Sequence, residues 1–303
     1  MSPSKAPVRS TVRLGDLEVP RVGFGAMQLP GPGVWGEPRD ADEARAVLRR
    51  VVELGIRLID TSWYYGPLVA NRLIAETLRP YADDLVIATK LGGRRTDDKG
   101  WAPYLRPEEL RKGCEEDLRT LALERIDVVH LRWIGHGGVP FEEALDAIIA
   151  LRDEGKIRHI ALSNVSLAQL ETALARTPIV AVQNLYNVAA GEARLGPLPH
   201  AVVEGQEALV DRCAALGIAF LPFFPLAVPF VPAKSAALAD VARRHGRTEA
   251  QVAIAWLLAR SPTMLPIAGT SSRAHLEENW AARELVLSDA DLAELTRARL
   301  AAS

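Results

Sequence analysis

The sequence predicts a (β/α)8 (TIM) barrel, an α/β fold in which eight parallel strands alternate with helices. Short runs of β-type apolar residues occur at approximately 21–25, 57–60, 85–89, 126–132, 157–162, 179–183, 218–223 and 264–268. The stretches between them carry the three- and four-residue apolar spacing of helices that bury one face. This alternation fills about 250 residues with no Pro/Gly-rich linker or shift in composition, the arithmetic of one barrel and not of two joined domains.

The elements follow in order. Thr11 to Val19 alternates around Gly15-Asp16, a hairpin expected to plug the barrel's floor. The first barrel strand runs into Gly23-Phe24-Gly25-Ala26-Met27-Gln28. That stretch lacks the third glycine and the immediate helix of a dinucleotide fingerprint, and reads as small residues at a tight strand exit. Helices are predicted at 41–54, 68–78 and 107–121. Phe141 to Ile149 repeats apolar residues with helical spacing, and further helices are expected at 166–175, 205–216, 248–260 and 272–282. Ser288 to Leu300 reads as a closing helix with Ser288 as its cap. The expected organisation is a single domain over 1–303, with 1–20 as tail and hairpin and 284–303 as C-terminal segment and helix.

Composition narrows the function classes. The chain has 303 residues, 49% apolar and 24% charged, with a net charge of −2. That balance gives no electrostatic reason to expect nucleic acid or an anionic membrane as partner. Apolar stretches are broken by Pro or charge well before the ~18 residues of a membrane span. The first dozen residues lack the apolar core of a signal peptide. Cys114 and Cys213, in helix-like segments, show no metal-ligand spacing and read as reduced thiols, so no metal and a cytoplasmic location are expected. No GxxxxGK, GxSxG or HExxH motif occurs. His136, in a Gly-rich loop, reads as solvated, with a lid contact to substrate as the alternative.

In such barrels the active site lies at the C-terminal ends of the strands. Asp60, Lys90 and Arg132 each end a strand-like run, and Tyr65 follows five residues after Asp60. A Tyr flanked by a Lys and an Asp is a workable general acid. Its ordinary pKa is near ~10, and a neighbouring cation is expected to lower it. At the eighth strand end, Leu265 to Asn279 places hydroxyl residues before a helix, where free N–H groups and the helix dipole attract an anion. Arg273 adds a guanidinium suited to a phosphate. Ser163-Asn164 and Gln183-Asn184 close successive strands and suit a carboxamide, while Phe223-Phe224-Pro225-Leu226 offers an aromatic face for a flat ring.

Assembled, these segments resemble the aldo-keto reductases nearly end to end. The matching pieces are Gly55 to Gly66 (family pattern GxRxxDTAxxYG), Thr89-Lys90, Gly155 to Asn164, Val182 to Asn187 and Gly269 to Asn279. The resemblance implies an NADPH-dependent carbonyl reductase with a small-molecule carbonyl substrate. Tyr65, immediately before the glycine, is preferred over Tyr64 as general acid, with Asp60 and Lys90 tuning it. Ser163, Asn164 and Gln183 would hold the carboxamide and Phe223 would stack on the nicotinamide. Gly269, Thr270, Ser271 and Arg273 would take the adenosine phosphate, with Glu278 and Asn279 near the adenine. Gly25, Ala26, Met27, Asp60, Phe224, Pro225, Leu226 and Ile267 complete the expected cofactor contacts.

One departure stands out. The family pattern ends the fourth strand with a histidine, and here Arg132 occupies that place. His130 lies two residues earlier on the same strand face, about 6.5 Å deeper by strand rise, and is expected beneath the site. Trp35, Tyr65, His130, Arg132 and Trp133 are the candidate substrate contacts, and whether Arg132 or His130 replaces the missing histidine is open at this stage. Gly25 to Leu29, Gly31 to Gly36, Gly92 to Arg95, His130-Leu131-Arg132 and Pro222 to Leu226 resemble the pyridoxal reductase branch. The first reading is therefore reduction of a small, pyridoxal-like aldehyde. The alternatives are a biosynthetic ketone reductase for a larger natural product, suggested by the Gly/Pro-rich loop from Ala189 to Gly205, and an NADPH-binding regulatory subunit without useful turnover. The oligomeric state is not set by the sequence.

Overall fold

The computed structural model describes residues 10–135, 137–188, 205–226 and 236–301. His136 and nearly all of the Ala189–Gly205 loop lie outside the described residues. Strands β1 (Thr11–Leu14) and β2 (Leu17–Pro20) form the expected antiparallel hairpin. Barrel strands follow as β3 (Gly23–Gly25), β4 (Leu58–Asp60), β5 (Val86–Leu91), β8 (Ile126–Arg132), β9 (Ile157–Ser163), β10 (Ala181–Gln183), β11 (Ala219–Phe220) and β12 (Ile267–Ala268). The small hairpin β6 (Gly93–Arg95) and β7 (Trp101–Pro103) rises from the end of β5.

The eight barrel strands pair in parallel in the order β11-β10-β9-β8-β5-β4-β3-β12. The ring closes where Phe220 bridges Met264: the Phe220 N–H donates to the Thr263 carbonyl at 2.9 Å, and Leu265 N–H returns to Phe220 O at 2.8 Å. Five strands are shorter than the sequence predicts, those expected at 21–25, 57–60, 179–183, 218–223 and 264–268, the last two most of all. Pro222 and Pro266 lack the N–H that would continue the ladder.

Alternation along each strand separates two cores. Leu58, Val86, Ala88, Val128, Ala161, Ala181, Ala219 and Leu265 point into the barrel, joined by Val12, Leu14 and Val19 of the hairpin. Four of those strand residues are alanine, and the hairpin's larger side chains fill the volume they leave. The hairpin tip is tied to the N-terminal end of β9, where Asp16 pairs with Arg158 and His159. Intervening residues such as Val129, Leu131, Ile160, Leu162 and Phe220 face the helices. The floor is thus sealed, and the polar strand ends face the opposite mouth.

The helices are α1 (Ala41–Glu53), α2 (Val69–Leu78), α3 (Pro107–Leu121), α4 (Phe141–Asp153), α5 (Leu167–Leu174), α6 (Gln206–Leu216), α7 (Ala236–His245), α8 (Glu249–Arg260), α9 (Arg273–Ala281) and α10 (Asp289–Ala301). Helix α7 is absent from the sequence reading, although Leu238, Val241 and Ala242 are buried at helical spacing. Ser288 caps the closing helix as expected, its Oγ accepting from Asp291 N–H at 3.1 Å. Among the described residues no helix is long and apolar enough to cross a membrane, and no cluster of metal-ligating side chains occurs.

Candidate active site

Strand register brings the predicted polar residues to one rim. Gly25 pairs with Asp60, Lys90 with His130, Arg132 with Ser163, and Ser163 with Gln183. Asp60 and Lys90 form a fully buried ion pair. Lys90 Nζ also donates to Thr61 O at 3.2 Å, and Gln183 Nε2 donates to the second oxygen of Asp60 at 2.9 Å. Both carboxylate oxygens are therefore satisfied, as a buried charge requires.

Tyr65 lies against this pair, with Lys90 Nζ 5.0 Å from its ring centre. The expectation that the lysine lowers the phenol's pKa is reversed. Burial pushes Tyr65 well above the ordinary tyrosine value, the Asp60 charge pushes the same way, and only Arg132 opposes them. These surroundings keep the phenol protonated. Tyr64 is buried as well, but its ring is enclosed by Trp63, Tyr65 and Trp101. The register thus gives Tyr65, and not Tyr64, the contact with Lys90.

The loop from Asp60 to Gly66 is fixed from behind. Thr61 N–H donates to Ala88 O at 2.8 Å, and Ser62 Oγ to Lys90 O at 3.2 Å. Thr61 Oγ1 donates to Asn71 Oδ1 at 2.8 Å, and Asn71 Nδ2 donates to Asp117 at 2.7 Å. Asp117 on α3 is fully buried, and burial pushes its carboxyl up to about 7 against the pull of Asn71 and Thr89. This network is not apparent in the sequence, because its members come from a strand end and two helices that only the fold brings together.

Arg132 is half-buried, donates from Nη1 to Ser163 Oγ at 2.9 Å, and lies 5.0 Å over the Phe223 ring. His130 is completely buried in the barrel beneath the rim, as its strand position predicts. Its Nδ1 sits 3.2 Å from Thr89 O, its Nε2 has no partner, and burial holds the imidazole down to about 4. A side chain so enclosed presents no surface to a ligand. Trp133 also departs from its predicted place: one residue past Arg132, it turns into the outer core and packs edge-on against Phe141. Its carbonyl accepts from Asn164 Nδ2 at 2.6 Å. Trp35 is half-buried and bridges Gly66, the residue after Tyr65.

The remaining residues test the fit of a dinucleotide. Gln183 Oε1 and Asn279 Nδ2 are buried without partners, one acceptor and one donor of the kind a carboxamide and a base edge would satisfy. Between them β3 and β12 approach closely. A Cβ on Gly269 would lie 2.6 Å from Gly25 O, and one on Gly25 would lie 2.9 Å from Ile267 O. Only glycine keeps that seam narrow. Ala26 and Met27 follow in a single 3-10 turn, and Phe224, Pro225 and Leu226 continue from Phe223 on the far rim.

Thr270 Oγ1 accepts from Ser272 N–H at 3.1 Å, while Ser271 is exposed and Glu278 half-buried. Ser272 occupies the cap of α9 without bonding through its side chain. Instead Glu43 of α1 takes Arg273's backbone N–H at 3.3 Å and its guanidinium at 3.0–3.2 Å. The predicted anion site thus already meets a carboxylate. Sequence reasoning also gave no role to Arg95 or Trp101 of the β6–β7 hairpin. Their signal was limited to two aromatic or cationic residues within a polar, glycine-rich stretch.

Comparison with known proteins identifies the family. The model of the "Aldo/keto reductase family" matches residues 21–299. The chain is 46% identical to pyridoxine 4-dehydrogenase of Escherichia coli (strain K12), over 94% of this chain and 97% of that protein. It is 39% identical to an uncharacterized oxidoreductase of Schizosaccharomyces pombe, over 94% of this chain and 88% of the relative. Among solved structures, the thermostable aldo-keto reductase Tm1743 superposes with a TM-score of 0.80 at 26% identity, covering 95% of this chain and 99% of that one. An aldo/keto reductase from Klebsiella pneumoniae, crystallised with NADP and acetate, gives 0.75 at 26% identity, over 97% and 96% of the two chains. A match running from the first barrel strand into the closing helix, with relatives at this identity, leaves one assignment: the chain belongs to the aldo/keto reductase family.

Proposed function

We propose that this protein reduces a small aldehyde of the pyridoxal type to its alcohol, using NADPH, with Tyr65 as proton donor. The observation that carries the reading is the buried Asp60–Lys90 pair set against a protonated Tyr65, with the Arg132 guanidinium on the same rim. The relation to a pyridoxine 4-dehydrogenase and to a structure crystallised with NADP supports the substrate class and the cofactor.

The cofactor's part is to supply a hydride from its reduced nicotinamide. Gln183 Oε1 and Ser163 would hold the carboxamide, Phe223 would support the ring, and Arg273 with the start of α9 would receive the phosphate of the adenosine end. Tyr65 would donate its phenolic proton to the carbonyl oxygen as negative charge develops there. Asp60 fixes Lys90, and Lys90 limits how far the buried phenol can move. A guanidinium does not relay a proton as an imidazole does, but that of Arg132 can polarise a carbonyl or hold an anionic substituent. Pyridoxal carries a phenolate beside its aldehyde, which gives that cation a partner. His130, enclosed below the rim, has no part in the proton transfer.

The test is the fall in NADPH absorbance with pyridoxal, a neutral aromatic aldehyde and a simple ketone, for the wild type and Tyr65→Phe. Turnover of pyridoxal that disappears in Tyr65→Phe is the expected result. Turnover of other carbonyls alone would retain the mechanism and remove pyridoxal. Tight NADPH binding with no turnover across a wide panel would favour the regulatory reading. Arg132→Ala should slow pyridoxal far more than the neutral aldehyde, and equal slowing would remove the phenolate contact.

A further inference from the structure

We propose that Arg95 is a positioning residue for this reaction, clasping two loops above the strand ends into one wall that fixes Gly66 and the adjoining Tyr65. The inference rests on Tyr65 being the proton donor.

Arg95 ends β6, and its side chain is buried. Its guanidinium is held by backbone carbonyls drawn from two separate segments. From its own hairpin, Gly100 O accepts from Nε at 3.1 Å and Lys99 O accepts from Nη2. From the loop after β3, Gly33 O accepts from both terminal nitrogens at 3.1 and 3.2 Å, and Val34 O accepts from Nη1 at 2.8 Å. The flat faces of the group are covered too, with Trp101 centred 4.2 Å away and Trp35 5.2 Å away. A planar cation with five fixed donors can gather carbonyls from two separate segments in this way. An ammonium, with three donors on one atom, cannot span them.

Two routes lead from this clasp to Tyr65. Val34 O, besides accepting from Arg95, accepts the Gly66 N–H at 3.2 Å, and Gly36 N–H donates to Gly66 O at 2.9 Å. The loop is therefore bonded to the residue directly after Tyr65. Val34 itself has φ of +58°, a backbone state that a β-branched residue holds only when its surroundings impose it. The imposing contacts are those of Arg95 and Gly66. On the other side, Trp101 packs edge-on against Tyr64 at 5.8 Å, and Tyr64 packs edge-on against Tyr65 at 5.4 Å. Arg95 makes no contact with the reacting atoms, and its action runs through these neighbours.

The test compares Arg95→Ala and Arg95→Lys with the wild type in three readouts. Hydrogen exchange of peptides covering 31–37 and 64–68 reports the clasp without reference to activity. The kcat and NADPH affinity report positioning, and added guanidinium ion at low millimolar concentration, against sodium chloride of equal ionic strength, tests chemical rescue. Expected are faster exchange in both peptides, a fall in kcat of at least about tenfold with NADPH affinity unchanged, saturable rescue of Arg95→Ala by guanidinium, and no recovery in Arg95→Lys. Unchanged exchange would overturn the clasp. Faster exchange with wild-type kcat, or parallel loss of kcat and NADPH affinity without rescue, would overturn the positioning role. Retained turnover in Tyr65→Phe would instead remove the proton-donor assignment, so the two failures are told apart.

Discussion

Replacing His130 by asparagine should change how stability depends on pH. The imidazole is completely enclosed, with Nε2 unpartnered and Nδ1 on Thr89 O. Burial holds it down to about 4; Asp60 pulls the other way, while Lys90 and Arg132 reinforce the burial. An unfolded chain takes up that proton near 6.5. Between those values the folded state binds fewer protons than the unfolded one, so stability is lost as pH falls through the window. From pH 7 to pH 5 the unfolded imidazole gains about 0.7 of a proton and the folded one only about 0.1, and over the interval this removes about 2 kcal/mol. Asparagine abolishes the titration and keeps a hydrogen-bonding group. Urea unfolding followed by tryptophan fluorescence at several pH values measures both proteins. The variant should gain about 2 kcal/mol relative to the wild type over that interval. Parallel pH profiles would refute the claim that His130 is held neutral by burial.

Asp117 predicts the opposite slope. Its carboxyl is held up to about 7 by burial, against 3.8 in an unfolded chain, so its contribution is lost as pH rises through that window. Asp117→Asn should therefore gain about 2 kcal/mol on the wild type from pH 5 to pH 7, and a constant difference in urea unfolding would contradict it. Glu43→Gln frees Arg273 and the start of α9, so calorimetry should find NADPH binding tightened several-fold and NADH binding unchanged; equal effects on both would show that Glu43 does not compete with the phosphate. Leu14→Ala removes a fully buried side chain from the barrel floor and should destabilise by about 3 kcal/mol in urea, while a loss below about 1 kcal/mol would mean that the hairpin does not seal the barrel.

The barrel was legible because its strands and helices carry distinct periods, and because Asp60, Lys90 and Arg132 each end an apolar run. Helix α7 was within reach of the same reasoning, since Leu238, Val241 and Ala242 keep helical spacing. The β6–β7 hairpin was not. Its residues are polar and glycine-rich, and its order comes from carbonyls of a loop some 60 residues earlier closing on Arg95 (|i−j| of 61 and 62). The shift of Tyr65 was misread for a related reason: the motif sets a lysine and a carboxylate beside it, but does not show how completely the phenol is buried, which is the largest cause of its shift. Trp133 shows the same limit on a smaller scale, because one residue along a strand reverses the face.

Closure of the ring sets a timetable for folding on the ribosome. Arg21, just before the first barrel strand, is buried and donates to the carbonyls of Leu258, Ser261 and Met264, the last of these 243 residues away. At ribosomal speeds of about 5–20 residues per second, its partners emerge roughly 12–50 s after it does. The hairpin waits as long, since its apolar side chains pack against Leu265 as well as the earlier strands. Throughout that interval the open edge of β3 has no native partner and the apolar face of the hairpin is only partly covered, the kind of surface on which chaperones act during synthesis.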